Sequence, residues 1–160
     1  MMSCLKAIFG RCKMKDVIER LNEEHKLIET KLNELETLIS KNDFHQDLDS
    51  ILEMIGFFEQ YACISHHQTE EKLLYHWMLA QNKNSDKELI ERIVSEHRYL
   101  EGLVSKIKNE TMADINDTKK PLGELGEDLS FLISKYREHA ERESSFIFVI
   151  AESLSNAAHP

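Results

Sequence analysis

The chain has 160 residues and a formal net charge of −9 at pH 7, with 41% hydrophobic residues, 31% charged residues, 5 glycines and 2 prolines. This length corresponds to one domain, and so few glycines and prolines argue against a β-sandwich or β-barrel, which needs many turns. The negative charge argues against nucleic acid and anionic membrane surfaces as partners, because both carry negative charge themselves.

The first half of the chain contains two segments with the hydrophobic periodicity of amphipathic helices. The first predicted helix covers residues 16–40, and His25 fills a gap in its apolar stripe. The second covers residues 46–80, and His66 and Glu70 interrupt its stripe in the same way. Each helix therefore carries polar side chains on the face that should be buried.

The second half repeats this arrangement. The third predicted helix covers residues 86–109, and His97 lies in the gap of its stripe. The fourth covers residues 122–154, with His139 and Glu143 in the middle of its stripe. Again the polar residues fall at the spacing of the apolar ones, which predicts that they face the same interior.

Beyond these polar residues, the stripes of the second and fourth helices continue. At helical spacing the second stripe passes through Leu73 and Trp77, and the fourth through Phe146 and Ile150. Large apolar and aromatic side chains at such positions are typical of core packing. We therefore predict that all four lie in the core.

Four amphipathic helices joined by short polar segments predict an all-α fold, an antiparallel up-down four-helix bundle over residues 16–154. Residues 1–15 lack the apolar run of a signal peptide and are expected to form a flexible segment, and residues 155–160 a short tail. Cys4, Cys12 and Cys63 form no Cys-x-x-Cys motif. Free thiols in the cytoplasm are therefore expected rather than disulfides or thiolate zinc sites.

Counting along the predicted helices places the polar stripe residues in one layer, about 15 Å from one end of the bundle. They are His25, His66, Glu70, His97, His139 and Glu143. A single histidine on an apolar face is more often a hydrogen-bonded core residue than a ligand. A buried carboxylate is costly unless it is paired or bound to a cation, so six such residues in one layer predict a metal site.

The residue types indicate which metals would suit the site. Imidazole and carboxylate without thiolate suit iron, manganese or zinc. Two carboxylates and four histidines exceed the four ligands of one tetrahedral zinc. A pair of metals bridged by carboxylates is the better match, as in other helix bundles that hold two metals.

Four sequence segments carry a resemblance to a known family. They are NEEHKLIE around His25, HHQTEEKLLY around His66 and Glu70, SEHRYLEGL around His97, and HAERESSFIF around His139 and Glu143. In this order and spacing they resemble the hemerythrin-like family, of the HHE cation-binding type. The resemblance implies two oxo- or hydroxo-bridged iron ions inside the bundle. It implies the four histidines as terminal ligands, the two glutamates as bridges, and an open position for O2, peroxide or NO.

A second pair with the same four-residue spacing follows one position later in the second helix. His67 and Glu71 could take the inward positions instead of His66 and Glu70. The apolar stripe favours His66 and Glu70 as the inward pair. His67 and Glu71 are then expected about 100° round the helix, at a boundary between helices or beside the ligands.

The chain also departs from the oxygen-carrying members of the family. Those have a second histidine four residues after the first on the third helix, where this chain has Glu101. Glu101 is therefore a further candidate ligand, a proton relay or a solvated surface residue. Fewer histidines and more carboxylates make a harder ligand set, which favours the higher oxidation state and argues against reversible oxygen carriage.

Three functions remain. The ligand pattern favours a protein whose two irons react with peroxide, O2 or NO, with peroxidase-, catalase- or oxidase-like activity left open. The alternatives are an iron donor for the repair of iron–sulfur centres, and an oxygen store or redox sensor without catalysis. Manganese or zinc in place of iron stays open. Tyr136 and Cys63 are expected to be core residues before they are redox groups.

Overall fold

A computed structural model describes residues 14–41, 45–81, 86–116 and 123–157 of the chain. Within these ranges the chain forms four long helices and no strand, which confirms the predicted all-α bundle. The helices are α1 (Met14–Ile39), α2 (residues 48–81, preceded by the 3₁₀ turn His45–Asp47), α3 (Lys87–Asn116) and α4 (residues 123–157). Of the predicted terminal segments, residues 1–13 and 158–160 lie outside the described residues, whereas residues 14–15 belong to α1 and residues 155–157 to α4.

The helices run up and down in an antiparallel arrangement. The evidence is that opposite ends of successive helices contribute to the same hydrophobic cluster. The lower cluster joins the beginnings of α1 and α3 to the ends of α2 and α4. It contains Leu21, Leu74, Tyr75, Met78, Ile93, Ile147 and Phe148 among others. The upper cluster joins the opposite ends and contains Leu35, Ile51, Ile55, Ile107, Leu125 and Leu129 among others. The polar layer lies between the two clusters.

Helix α3 is longer than its periodicity predicts. It continues past residue 109 to Asn116, so part of the predicted loop is helical. Thr111 is fully buried, and its hydroxyl donates a hydrogen bond to the carbonyl oxygen of Ile107 at 2.8 Å. Ile115 packs against the upper cluster. These contacts stabilise the last turns of α3, which the sequence pattern had assigned to a loop.

Helices α2 and α4 bury a side chain at every fourth position through the polar layer. The row is Phe58, Ala62, His66, Glu70, Leu74 and Met78 in α2, and His139, Glu143, Ile147 and Ala151 in α4. In a regular α-helix each four-residue step turns about 40° beyond a full turn, so the row would leave the inner face. Both helices instead contain π-helical segments, which are Phe58–His66, Glu70–Tyr75 and Glu143–Ile147. The wider π turns keep the row on one face.

The π-helical segments move the downstream core by one residue relative to the prediction. Leu74 is fully buried, whereas Leu73 and Trp77 pack only partly against the lower cluster. In α4, Ile147 is fully buried and Phe146 is 56% exposed. The prediction of Phe146 as a core residue was therefore wrong, because it assumed regular α-helical spacing.

This one-residue shift has a measurable consequence for stability. We expect Ile147→Ala to lower the free energy of unfolding by about 2–5 kcal/mol, because it removes a fully buried side chain. Phe146→Ala is the matched control, and its effect should stay within about 0.5 kcal/mol because that ring is mostly in solvent. Urea denaturation in the presence of chelator measures both. A larger loss for Phe146→Ala than for Ile147→Ala would contradict the observed register.

None of the helices in the described ranges combines the length and the apolar character that crossing a bilayer requires.

Candidate metal centre

Between the two hydrophobic clusters the bundle buries a layer of imidazole and carboxylate groups. Its members with less than 4% of their surface exposed are His66, His67, Glu70, His97, His139 and Glu143. His25 completes the layer from α1, and its side chain is 10% exposed. The structure therefore brings together all six residues predicted from the apolar stripes, and adds His67.

Glu70 lies at the centre of this layer, and its two carboxylate oxygens face different histidines. Oε1 is 3.4 Å from Nε2 of His66 and 3.8 Å from Nε2 of His25. Oε2 is 3.4 Å from Nε2 of His97. Two ligands about 2.1 Å from one metal ion, at right angles, lie about 3 Å apart. The spacing therefore suits a carboxylate that contributes one oxygen to each of two ions.

Glu143 of α4 occupies a similar place. Its Oε2 lies 3.2 Å from Nε2 of His25 and 3.3 Å from Nε2 of His139, and its Oε1 lies 3.2 Å from Nε2 of His97. The Tyr75 hydroxyl donates a hydrogen bond to the same Oε1. Burial alone would raise the pKa of Glu143. The charge of His139 and the nearby imidazoles of His25 and His97 outweigh burial and hold this pKa well below its usual range. Glu143 is therefore ionised and able to bind a cation.

His67 lies inside the bundle beside the other histidines and not at a helix boundary, which was one of the two positions expected for it. Its ring stacks on that of His97 with centroids 3.9 Å apart, and it is 5.4 Å from that of His139. A π turn contains more residues than an α turn, so neighbouring side chains diverge less and His66 and His67 can both point inward. Burial, and then the charges of His97 and His139, lower the pKa of His67 well below its ordinary value. A neutral imidazole is the form that binds metal.

The ligand atoms fall into three overlapping groups, which define two positions that each suit one ion. The first, which we call the two-histidine position, contains His25, His66, Glu70 and Glu143. The second, the three-histidine position, contains His67, His97 and His139, and the latter two also group with Glu70 and Glu143. Within each group the atoms lie within 4.8 Å of one another. The two glutamates are common to both positions.

The cluster contains buried polar atoms with no hydrogen-bond partner in the described part of the chain. They are Nε2 of His66 and His139, Nδ1 of His67, both carboxylate oxygens of Glu70, and Oε2 of Glu143. An unpartnered buried polar atom costs about 1–3 kcal/mol, and more when it is charged. All of these atoms can donate a lone pair to a cation. The residues therefore fit a metal pair, which would satisfy them together.

Three histidines that face the glutamates of the cluster with Nε2 use their other ring nitrogen, Nδ1, to contact carboxylates outside the cluster. Nδ1 of His66 donates to Glu24 at 2.8 Å, Nδ1 of His97 to Glu71 at 2.8 Å, and Nδ1 of His139 to Glu96 at 3.2 Å. Glu71, a candidate ligand from its spacing, thus contacts a histidine and is not a member of any ligand group.

The sequence interpretation missed three residues of the site. Tyr75 was not predicted because the π turns shift the register of its helix. Glu24 and Glu96 were not predicted because they lie off the apolar stripes. One signal was available for the glutamates: each directly precedes a predicted histidine ligand.

Glu101, the other candidate ligand, does not reach the cluster. Its carboxylate accepts a hydrogen bond from Nη1 of Arg98 at 2.5 Å, and its side chain is 35% exposed. The structure thus places Glu101 in a surface ion pair, and it is not the counterpart of the missing helix-three histidine. His67 brings a fifth imidazole into the layer, so the layer is not short of histidines, which was the premise of the argument against oxygen carriage.

Cys63 and Tyr136 pack beside the cluster, in the upper core, as predicted. The sulfur of Cys63 lies 3.1 Å from the hydroxyl oxygen of Tyr136, and both residues are buried. Burial, outweighing this hydrogen bond, raises the pKa of the Cys63 thiol to about 11. Cys63 is therefore a neutral thiol at physiological pH and not a reactive thiolate.

Comparison with known proteins agrees with this geometry. A family model described as the hemerythrin HHE cation binding domain matches residues 16–150, which include every candidate ligand. Comparison with curated proteins and with solved structures gives no match.

Proposed function

The chain belongs to the hemerythrin HHE cation-binding domain family, and from that premise we propose that it holds two iron ions and binds or reacts with O2, peroxide or nitric oxide. One observation carries the proposal: Glu70 and Glu143 are shared by two groups of histidines. Carboxylates shared in this way would bridge two ions held a few ångströms apart.

The donor set supports iron. Imidazole nitrogen and carboxylate oxygen suit iron, manganese and zinc, and disfavour copper(I) and iron–sulfur clusters. An iron pair held here would supply a change between Fe²⁺ and Fe³⁺ and coordination positions for a small oxidant. The chain's contribution is a buried layer between two hydrophobic clusters, which positions the ligands and limits the access of water to them.

The two positions differ in a way that would direct a small ligand. At the two-histidine position His25 and His66 group with the two glutamates, whereas at the three-histidine position His97 and His139 group with the glutamates and also with a third imidazole, that of His67. The position with fewer protein ligands leaves more room for an outside molecule. We therefore assign the small ligand to the side of His25 and His66.

A second candidate function is reversible binding of O2 without turnover. His67 favours it, because it restores five imidazoles to the site and makes the ligand set less rich in carboxylate. Either function is consistent with a cytoplasmic protein, in which Cys63 remains a free thiol.

The test is metal content and reactivity of the protein expressed with iron supplementation. We expect about two irons per chain by mass spectrometry, and an optical absorption that changes when the reduced protein meets air. Rapid peroxide consumption would support catalysis, and a spectrum that reverses on removing O2 would support oxygen binding. Two manganese or zinc ions instead of iron would overturn the assignment of iron, and protein without bound metal would overturn the whole proposal.

A further inference from the structure

Around the candidate ligands the four helices form a closed ring of hydrogen bonds. Each helix offers one side chain, directly next in sequence to one of its own candidate ligands, to the Nδ1 atom of a histidine on the following helix. The pairs are Glu24 with His66, Glu71 with His97, Glu96 with His139, and Ser144 with His25, which closes the ring from α4 to α1.

The three carboxylates of this ring fix the chemical form of their histidines. A carboxylate can only accept a hydrogen bond, so Nδ1 must carry a hydrogen, and Nε2 is the ring nitrogen that faces the cluster and is available to a metal ion. Such partners also hold the ring in its orientation.

Arginine side chains anchor each carboxylate from the outside. Arg20 donates to Glu24 at 2.6 Å, Arg98 donates to Glu71 at 2.6 Å, and Arg142 donates to Glu96 at 3.0 Å. Each anchor belongs to the surface of the bundle, so the three carboxylates are held between an arginine outside and an imidazole inside.

The fourth member of the ring is different. Ser144 lies 3.2 Å from Nδ1 of His25, and a hydroxyl can donate or accept, so it does not decide which nitrogen of His25 carries the hydrogen. His25 is also the candidate ligand that borders a surface cavity between α1 and α4, which Arg137 and Ser144 line as well. Among the four histidines of the ring, His25 is therefore the least constrained and the nearest to solvent.

We propose that Glu24, Glu71 and Glu96 are positioning residues for metal binding, and that the serine at the fourth place makes His25 the weakly held ligand. The two-histidine position would then fill second and empty first, through the cavity between α1 and α4. This inference rests on the proposed function, since it concerns the order in which the same two ions bind.

The first part of the test compares substitutions at Ser144, which is exposed in the helix, so the fold should tolerate them. Fe²⁺ is titrated anaerobically against a chromogenic chelator, and the affinities of the two binding steps are resolved. Ser144→Ala should weaken the second step about tenfold, and Ser144→Asp should strengthen it about tenfold. The first step should not change. Ser145→Asp adds the same charge one residue away and is the matched control.

The second part tests a carboxylate of the ring. Glu96→Gln should weaken the first step by about 10–100-fold, because the metal held by His139 loses its charged support. Glu138→Gln is the control, since Glu138 also adjoins His139 in sequence but pairs with Lys135 at 2.8 Å. Circular dichroism of the chelated variants establishes that all of them fold, so a packing defect would be visible before metal is added.

The outcomes separate this inference from the proposed function. If the unmodified protein takes up no metal, the proposed function fails and this inference fails with it. If it takes up two ions and the Ser144 and Glu96 variants bind like their controls, only the ring of positioning residues is overturned. If Ser144→Asp strengthens the second step no more than Ser145→Asp does, added charge alone explains the effect. The proposed role of Ser144 in holding His25 is then overturned.

Discussion

Glu70→Gln is expected to reduce the bound metal from two ions per chain to one at most. The side chain is fully buried, with one oxygen 3.4 Å from Nε2 of His66 and the other 3.4 Å from Nε2 of His97. The amide keeps the shape of the side chain but loses its charge, and its NH2 group has no free lone pair with which to bind a metal ion. A single substitution thus removes an oxygen ligand from one position and leaves the other with an uncharged, weaker amide oxygen. Metal per chain after gel filtration, measured by mass spectrometry, tests this expectation.

Matched variants separate a shared ligand from one that serves a single position. His25→Ala and His67→Ala should each retain one ion, because each histidine belongs to one ligand group. Glu101→Gln should retain two, because Glu101 pairs with Arg98 at the surface. Two ions retained by Glu70→Gln, or a loss of metal in Glu101→Gln, would contradict the arrangement of ligands described above.

Removing the metal is expected to lower the melting temperature by about 10 °C or more. A ligand that binds only the folded state, at a concentration about 1,000 times its dissociation constant, contributes about 4 kcal/mol. For a chain of this size each kcal/mol corresponds to about 2–4 °C. Circular dichroism melting before and after dialysis against chelator measures the change. An identical melting temperature would show that the unpartnered atoms of the cluster are satisfied in some other way.

The chelated protein should also lose stability as the pH rises. Burial favours the neutral ring of His97, but the hydrogen bond to Glu143 and the nearby charges of Glu143 and Glu70 outweigh burial and raise its pKa from 6.5 to about 10. A group with a higher pKa in the folded state stabilises the fold fully below its unfolded pKa, and that contribution disappears as the pH rises through the folded value. The melting temperature should therefore fall between about pH 6.5 and 10.

Bound metal should flatten this pH profile, because the ion replaces the proton on Nε2 of His97. The comparison of holo and chelated protein across the same pH range is therefore an internal control. A melting temperature of the chelated protein that rises over this range would contradict the sign worked out for His97.

The sequence by itself determined the bundle and most of the metal site. Hydrophobic periodicity defines the four helices without reference to tertiary contacts, since an amphipathic helix must bury its apolar stripe. The polar residues that interrupt those stripes can also be read from each helix alone. They are His25, His97 and the two pairs of histidine and glutamate four residues apart. Because the length of each helix sets the depth of its residues, counting was enough to place these groups in one layer.

Only the tertiary structure decided the register within α2 and α4 and the surroundings of the ligands. The π turns are not visible in a pattern read at regular α-helical spacing, so Phe146 was assigned to the core and His67 was not. Glu24 and Ser144 contact histidines 42 and 119 residues away along the chain. Contacts of that kind depend on which helices are neighbours and on their relative rotation, and the periodicity of one helix contains no information about either.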